Sequence, residues 1–377
     1  MRDHLRRFVR ERLVPLELRV AEEDRLPDEV VAEMREMGLF GLSIPEEFGG
    51  LGLRLSEEVE LVFELTWASL AFRSVIAMNL GVGSQGIVAD GTDAQRREWL
   101  PRIASGETIT SFCLTEPDSG SDSAALRTTS VAEGDGYVIS GTKRFISNAP
   151  LAGLFIVMAR TSAERLPGNR HVTAFLVPAG TPGLSVGPKD RKMGQRGAAT
   201  ADVILDRVRV PASSVLGGEP GCGFATAMKV LDRGRIGVAA AAIGQARRLL
   251  HEALTYASER KQFGRPIAEF QLVQAMLADS RAELYAAECM VRDAAARFDK
   301  GERVSTEASC CKMYATEMVG RVADRTIQIF GGAGYMQDAG VEHFYRDVRV
   351  LRIYEGTTQI QQLVIARNML REMEGRT

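Results

Sequence analysis

At 377 residues the chain is longer than one ordinary hydrophobic core supports, so two or three domains are expected. With 47 basic against 49 acidic side chains and a formal charge of -2, no general field draws it to nucleic acid or to an anionic membrane surface. No apolar run approaches the roughly 20 residues of a membrane-spanning helix, so a soluble protein without a membrane or nucleic-acid partner is expected.

The first 35 residues are rich in arginine, yet Glu11, Glu17, Glu22, Glu23 and Asp24 break the acid-poor pattern of an organelle transit peptide. A surface helix and a cytoplasmic location are the expectation. From residue 5 to about 106 apolar positions recur at helical spacing, as in Val30, Val31, Met34 and Met37 and again in Val59, Val62, Phe63, Leu65 and Trp67. The loop from Ile44 to Gly50 interrupts them, and an α-helical domain over 1–107 results. Strand-like runs follow at 109–114, 137–140, 154–159, 172–177 and 201–210, with Gly, Pro and Asp between them, giving a β barrel or sandwich over 108–216. After the glycine-rich linker 217–221, long helical segments near 225–259, 268–299, 305–330 and 358–374 predict a four-helix bundle over 217–377.

Helices, then strands, then helices make an α+β multidomain chain, because a doubly wound sheet needs strands and helices to alternate. The cluster Gly331, Gly332, Gly334 follows a helix and so fails the context of a dinucleotide fingerprint. Five cysteines (Cys113, Cys222, Cys289, Cys310, Cys311) lack metal-ligand spacing and read as reduced, mostly packed thiols. The four histidines neighbour no nucleophile and show no two-His zinc spacing, so triad hydrolysis and metal chemistry are disfavoured.

Four segments carry chemistry. Glu355 lies in Tyr354-Glu355-Gly356-Thr357, a tight loop ahead of a helix, where Thr358 and Gln361 read as a capping box. A proton acceptor needs a backbone that holds it still and nearby N–H groups for developing charge, so Glu355 is the catalytic candidate; the structural alternative is a carboxylate favoured by the helix dipole. The loop Phe112 to Asp122 offers small hydroxyls and free N–H groups to a planar or phosphorylated ligand. Lys143 to Asn148 ends a strand with Phe145 available for stacking, and Arg260 to Ile267 groups three cations with an aromatic side chain, suited to phosphates.

In order and spacing these segments resemble the acyl-CoA dehydrogenase family. Residues 113–125 (CLTEPDSGSDSAA) match its first signature, and 328–347 (QIFGGAGYMQDAGVEHFYRD) match its second except at His343, where Lys or Arg is usual. IPEEFGG, KRFISN, LDRGRIG, RKQFG and YEGTTQIQ extend the likeness over nearly the whole chain. The resemblance implies noncovalent FAD and α,β-desaturation of an acyl-CoA thioester, with Glu355 as the base and the flavin N5 as hydride acceptor. It implies cofactor contacts from Phe112, Leu114, Thr115, Gly120, Ser121, Phe145, Ile146 and Ser147, together with Thr357 and Gln359. Arg260, Gln262, Phe263, Gln328, Gly331 and Gly332 would reach a neighbouring subunit's cofactor, so a homotetramer is expected. Substrate contacts are implied for Ser121, Asp232, Arg235, Tyr354, Gly356 and Arg367, with electron-transferring flavoprotein as acceptor and a place in fatty acid or amino acid catabolism. Phe145 replaces a common Trp and loses its indole donor. In some relatives the base sits at the position of Gly234, which here cannot act; this fits the short-chain branch. Burial is expected to raise the Glu355 pKa.

Arg73 stands in the apolar run Leu70 to Ile76, which in the family borders the end of the acyl pocket. A cation there is costly to bury unpaired. Two readings stay open: pairing with Glu64 or another acid of its own helix layer, or holding a distal carboxylate, as a similar element does in glutaryl-CoA dehydrogenases. Ala77 stands where those enzymes carry a hydroxyl, which speaks against decarboxylation. An acyl-CoA oxidase and a noncatalytic acyl-CoA or flavin scaffold are the alternatives; Glu355 argues against the scaffold.

Overall fold

The computed structural model describes residues 1–375. Pro15 lacks the N–H that would continue a helix, and the opening segment accordingly breaks there. Helix α1 (Arg2–Phe8) passes through a wide turn over Val9–Leu13 and a tight one over Val14–Leu16 into α2 (Glu17–Glu23). As expected, α1 is a surface helix, with Arg2, Asp3, His4, Arg6 and Arg7 exposed while Leu5 and Phe8 turn into the first core, which Val9 and Leu13 continue. Helices α3 (Asp28–Glu36), α4 (Leu55–Leu65), α5 (Leu70–Leu80), α6 (Val82–Asp90) and α7 (Asp93–Ala104) complete the region. Val30, Met34, Leu61, Leu65, Phe72 and Ile76 close its core.

Strands β1 (Thr110–Cys113), β2 (Thr129–Glu133), β3 (Gly136–Ser147), β4 (Leu154–Arg160), β5 (Val172–Pro178), β6 (Leu184–Val186) and β7 (Thr200–Pro211) form one seven-stranded sheet. Its order is β1-β4-β2-β3-β7-β6, with β5 on the other edge of β4. The uninterrupted apolar run of β4 has a simple cause. Phe155, Val157 and Ala159 face one core while Leu154, Ile156 and Met158 face another, so neither face meets water. β2 and β6 carry no apolar alternation, the first being mostly exposed and the second three residues long, and neither is evident from the sequence. The expected strand at 137–140 proves to be the start of β3, which continues to Ser147 and so carries the Lys143-Arg144-Phe145 motif.

The last region is built on α8 (Gly223–Glu259), α9 (Gln271–Asp299), α10 (Ser305–Phe330) and α12 (Thr358–Met373), with the short α11 (Glu342–Val348) inserted before α12. A two-stranded hairpin, β8 (Lys261–Gln262) with β9 (Arg265–Pro266), joins α8 to α9. The buried stretch Ile236 to Ala246 of α8 is largely alanine and glycine, which lets its neighbours approach closely, and α4 joins this core through Leu55, Val59, Val62 and Phe63. Among the described residues no helix is long and apolar enough to cross a membrane.

Candidate active site

Glu355 stands between α11 and α12 with φ 53, a left-handed conformation that a non-glycine residue adopts at a cost of order 1 kcal/mol. The neighbours that hold it there are definite. Gln361 donates through Nε2 to the carbonyls of both Glu355 and Gly356, each at 3.1 Å, and the buried Lys312 of α10 donates through Nζ to the same Gly356 carbonyl at 2.7 Å. Glu317, one turn further along α10, takes Thr358 Oγ1 at 2.7 Å and Arg352 Nη1 at 3.2 Å. The cap of α12 is Thr357, whose Oγ1 accepts from Ile360 N at 3.3 Å. The expected box therefore shifts by one residue: Thr358 is spent on Glu317, and Gln361 reaches past the cap to secure the glutamate's own carbonyl.

The Glu355 side chain points at α8. A Cβ at Gly234 would fall 2.6 Å from Glu355 Oε2, and one turn on, a Cβ at Gly237 would fall 3.5 Å from Arg73 Nη2. Two glycines thus make a floor across which a carboxylate and a guanidinium lie side by side. Among the described residues, Oε2 is buried with no hydrogen-bond partner, and so is Arg73 Nε. Burial pushes the Glu355 pKa up, as expected from the sequence, while the charges of Arg73, Lys312 and Arg235 pull it back. Ile353 is exposed and contributes little to that burial, whereas Tyr354 packs against the bundle core and shares Arg73's field. Arg235 spends Nη1 on Asp232 at 2.8 Å and on Ser309 at 3.4 Å. Asp232 and Arg235, both expected at the substrate, therefore pair with each other within α8, Arg235 buried and Asp232 partly so.

Arg73 does not pair with Glu64. That carboxylate is taken by Arg2 at 3.0 Å and Arg6 at 2.8 Å, and Arg73 forms no ion pair among the described residues. Sequence proximity failed here because Arg2 and Arg6 come from the opening helix, which no local pattern on α5 reveals.

The two middle-domain motifs meet at one end of the sheet. Arg144 N donates to Thr115 O at 2.9 Å, and Ser111 Oγ to Ser147 O at 2.7 Å. Beneath them Lys143 and Glu116 form a fully buried ion pair at 2.7 Å, and Glu116 also accepts from Arg127 N and Thr128 N. A bulge between Lys143 and Ile146 turns Phe145 out, leaving its ring 60% exposed at φ 57 while Ile146 enters the core. Asn148 donates to the carbonyls of Ser74 and Val75, which joins this sheet end to the helix that carries Arg73. Thr115, Phe145 and Ser147 therefore come together at this sheet end, whereas Ile146 is buried in the sheet core and Phe112 and Leu114 pack partly against the neighbouring one. A planar, phosphorylated cofactor such as FAD fits this sheet end: an exposed ring stands at a bulge, and a Cβ on Gly120 would meet nothing within 4 Å. The N-terminus of α12, with Thr357 and Gln359, supplies unpaired N–H groups.

Arg260, Gln262, Phe263, Gln328, Gly331 and Gly332 lie elsewhere. Gln328 is 16 residues beyond Lys312 on α10, about 24 Å along the helix, so these residues do not reach Glu355 of their own chain. They cluster at the far end of the bundle, where Phe263 is 94% exposed and Cβ atoms on Gly331 and Gly332 would meet no atom. Arg367 is exposed on α12 beside Leu363, Leu370 and Arg371. Among the described residues His343 is buried with neither ring nitrogen hydrogen-bonded, and desolvation lowers its pKa to about 4, so it is neutral at neutral pH. Lys312, Glu317, Gly237, Asn148 and the Lys143–Glu116 pair were missed by the sequence reading. Lys143 had a signal: it takes an inward position of β3 two residues beyond the bulge at Gly141.

Three family descriptions match consecutive parts of the chain: "Acyl-CoA dehydrogenase, N-terminal domain" over 1–107, "middle domain" over 111–208 and "C-terminal domain" over 221–370. The 3-(aryl)acrylate reductase of Clostridium sporogenes is 41% identical, over 97% of this chain and 96% of that protein. The mitochondrial short-chain specific acyl-CoA dehydrogenase of Homo sapiens is 39% identical, over 97% of this chain and 88% of that protein. The crystal structure of glutaryl-CoA dehydrogenase from Mycobacterium smegmatis superposes with a TM-score of 0.91 at 32% identity, covering 98% of this chain and 93% of that one. With each of its three regions matched and full-length relatives well above 30% identity, the chain belongs to the acyl-CoA dehydrogenase family.

Proposed function

We propose that this enzyme desaturates a short acyl-CoA thioester at its α and β carbons, with Glu355 as the proton acceptor and FAD bound at the sheet end bordered by Thr115, Ser121 and Phe145. The observation that carries this reading is the Glu355 carboxylate: one oxygen buried, unpartnered and facing α8, with three cations around it. A flavin there supplies the acceptor for the β-hydrogen. Everything else is work for the chain. Arg73, Lys312 and Arg235 offset part of the desolvation that raises the Glu355 pKa, so its ionised form costs less than burial alone would make it. Among the described residues the Glu355 N–H makes no backbone hydrogen bond, and it can meet a thioester oxygen as enolate charge develops. Closure of the acyl group over the glycine floor excludes water from the proton transfer.

The tail of the acyl group carries a carboxylate in this reading. Arg73 stays unpaired because its partner arrives with the substrate, and Ala77 leaves no hydroxyl to assist decarboxylation. Residues 260–263 and 328–332 complete a neighbouring chain's cofactor site, so the enzyme works as an oligomer, a homotetramer by family resemblance, and hands its electrons to an electron-transferring flavoprotein. A second direction is favoured by the Clostridium relative, named a reductase: by microscopic reversibility Glu355 then returns the proton it would otherwise take. Anaerobic addition of acyl-CoAs to the flavin-loaded enzyme, watching the flavin band, tests the reading. Wild type bleaches, and Glu355→Gln keeps its flavin but bleaches about 10² to 10⁴ times more slowly. Wild-type turnover by that variant refutes the assignment, and peroxide formation without a flavoprotein acceptor identifies an oxidase instead.

A further inference from the structure

Resting on that reading, we infer that Lys312 is a positioning residue for proton transfer at Glu355: its buried ammonium holds the Gly356 carbonyl, hence the left-handed backbone of the glutamate, and places a positive charge behind the carboxylate. The geometry is unusual for a lysine. Its side chain is wholly buried on the bundle side of the loop, its one hydrogen bond runs 2.7 Å to Gly356 O, and that carbonyl is already shared with Gln361 Nε2. An ammonium has three donors, and committing it to a carbonyl that is already satisfied wastes solvation unless its charge is used. The groups around it are few. Glu355 faces it from the loop, Arg235 from α8 and Glu317 from α10, and Glu317 is already engaged by Arg352 and Thr358. Glu355 is therefore the carboxylate left for Lys312 to serve. Arg73 attends the same carboxylate from the acyl side, across the floor of Gly234 and Gly237, so the base sits between a cation that the substrate can claim and one that it cannot reach.

This arrangement makes a pH signature. Burial lowers the Lys312 pKa to about 8, with Glu355 opposing the shift. Below that pH the ammonium favours the ionised base and fixes the loop; above it the charge and the strong donor are lost together. Desaturation therefore rises with pH as Glu355 ionises and falls again as Lys312 deprotonates.

The test is the pH profile of flavin bleaching by butyryl-CoA in the flavin-loaded enzyme, read beside exchange of the substrate's α-hydrogen with deuterated solvent, for wild type, Lys312→Met and Lys312→Arg. Lys312→Met loses the alkaline fall and moves the acid limb up by about one unit, a tenfold slower reaction at a pH below the limb. Lys312→Arg keeps its charge throughout, so it lowers kcat through altered reach but leaves the acid limb in place while abolishing the alkaline fall. A merely structural lysine predicts lower stability or a uniform loss of rate with both limbs unmoved, and that result overturns the proposal. If Lys312→Met does not fold, an alkaline fall that persists in Lys312→Arg overturns it alone. Failure of wild type to bleach or to exchange removes the functional reading itself, and this inference with it.

Discussion

Gly234→Ala asks whether the base works from where it stands. In an interior helical turn alanine is favoured over glycine by about 0.8 to 1 kcal/mol, so α8 loses nothing in stability. The three atoms nearest the new Cβ all belong to the Glu355 carboxylate, with Oε2 at 2.6 Å and Cδ at 3.4 Å. An ordinary contact begins near 3.4 Å, so Oε2 must retreat by about 0.8 Å, which the end of a flexible side chain does cheaply. A misplacement of about 1 Å at a reacting group costs as much as 10²-fold in rate. The expected outcome is a kcat reduced about 10- to 100-fold with thermal stability equal to or above wild type. Stopped-flow bleaching of the flavin band under anaerobic conditions gives the rate, and a melting curve gives the stability. An alanine variant that reduces its flavin within twofold of wild type shows that the carboxylate does not act from above Gly234, and the geometric argument fails.

Arg73→Ala should lower kcat/KM for glutaryl-CoA about 10- to 100-fold more than for butyryl-CoA, the loss of a charge-assisted bond to the distal carboxylate; equal losses on both substrates eliminate carboxylate recognition. Lys143→Met leaves the fully buried Glu116 without its cation and should cost about 3 to 5 kcal/mol in denaturant unfolding, with a cost below about 1 kcal/mol contradicting the clamp on the 113–122 loop. Desolvation raises Glu17 to about 7 from an ordinary 4.5, so the folded chain keeps a proton that the unfolded one releases. Stability contributed by that group is present at low pH and falls as pH climbs through this interval. His343, lowered to about 4, acts in the opposite sense below about 6.5, so the informative quantity is a difference. Glu17→Gln should gain on wild type between pH 5 and 8 in urea unfolding, and a pH-independent difference sinks the assignment. Dilution that dissociates the oligomer should release flavin in parallel, followed by its fluorescence; monomers that retain flavin refute the shared site.

The architecture was legible in the sequence because each region has its own hydrophobic period: helical spacing to about 106, strand runs to 210, helical spacing again. What escaped was what tertiary contact alone decides. Nothing in Thr129–Glu133 marks a strand, since its face is solvated and its pairing with β3 is made by backbone groups. Glu355 was singled out from its loop, but the loop does not announce a φ of 53, nor that Lys312, 43 residues earlier, holds the carbonyl of the next residue. Arg73 was noticed as an isolated cation in an apolar run; its freedom from Glu64 depended on Arg2 and Arg6, which arrive from the other end of the domain.

A single helix connects these findings. Lys312 and Glu317 lie in the first half of α10 and fix the loop that carries Glu355, while Gln328 stands about 24 Å beyond Lys312 near the helix end, followed by glycines on which a Cβ would meet no atom. A 26-residue helix packed against α8, α9 and α12 is a stiff strut, so its two ends cannot be repositioned independently. If the far end completes a neighbour's cofactor site, the placement of that flavin and the placement of this chain's glutamate are set by one rigid element. Alignment of base and hydride acceptor then becomes a property of the assembly, with each protomer supplying its own carboxylate and part of the next one's cofactor support.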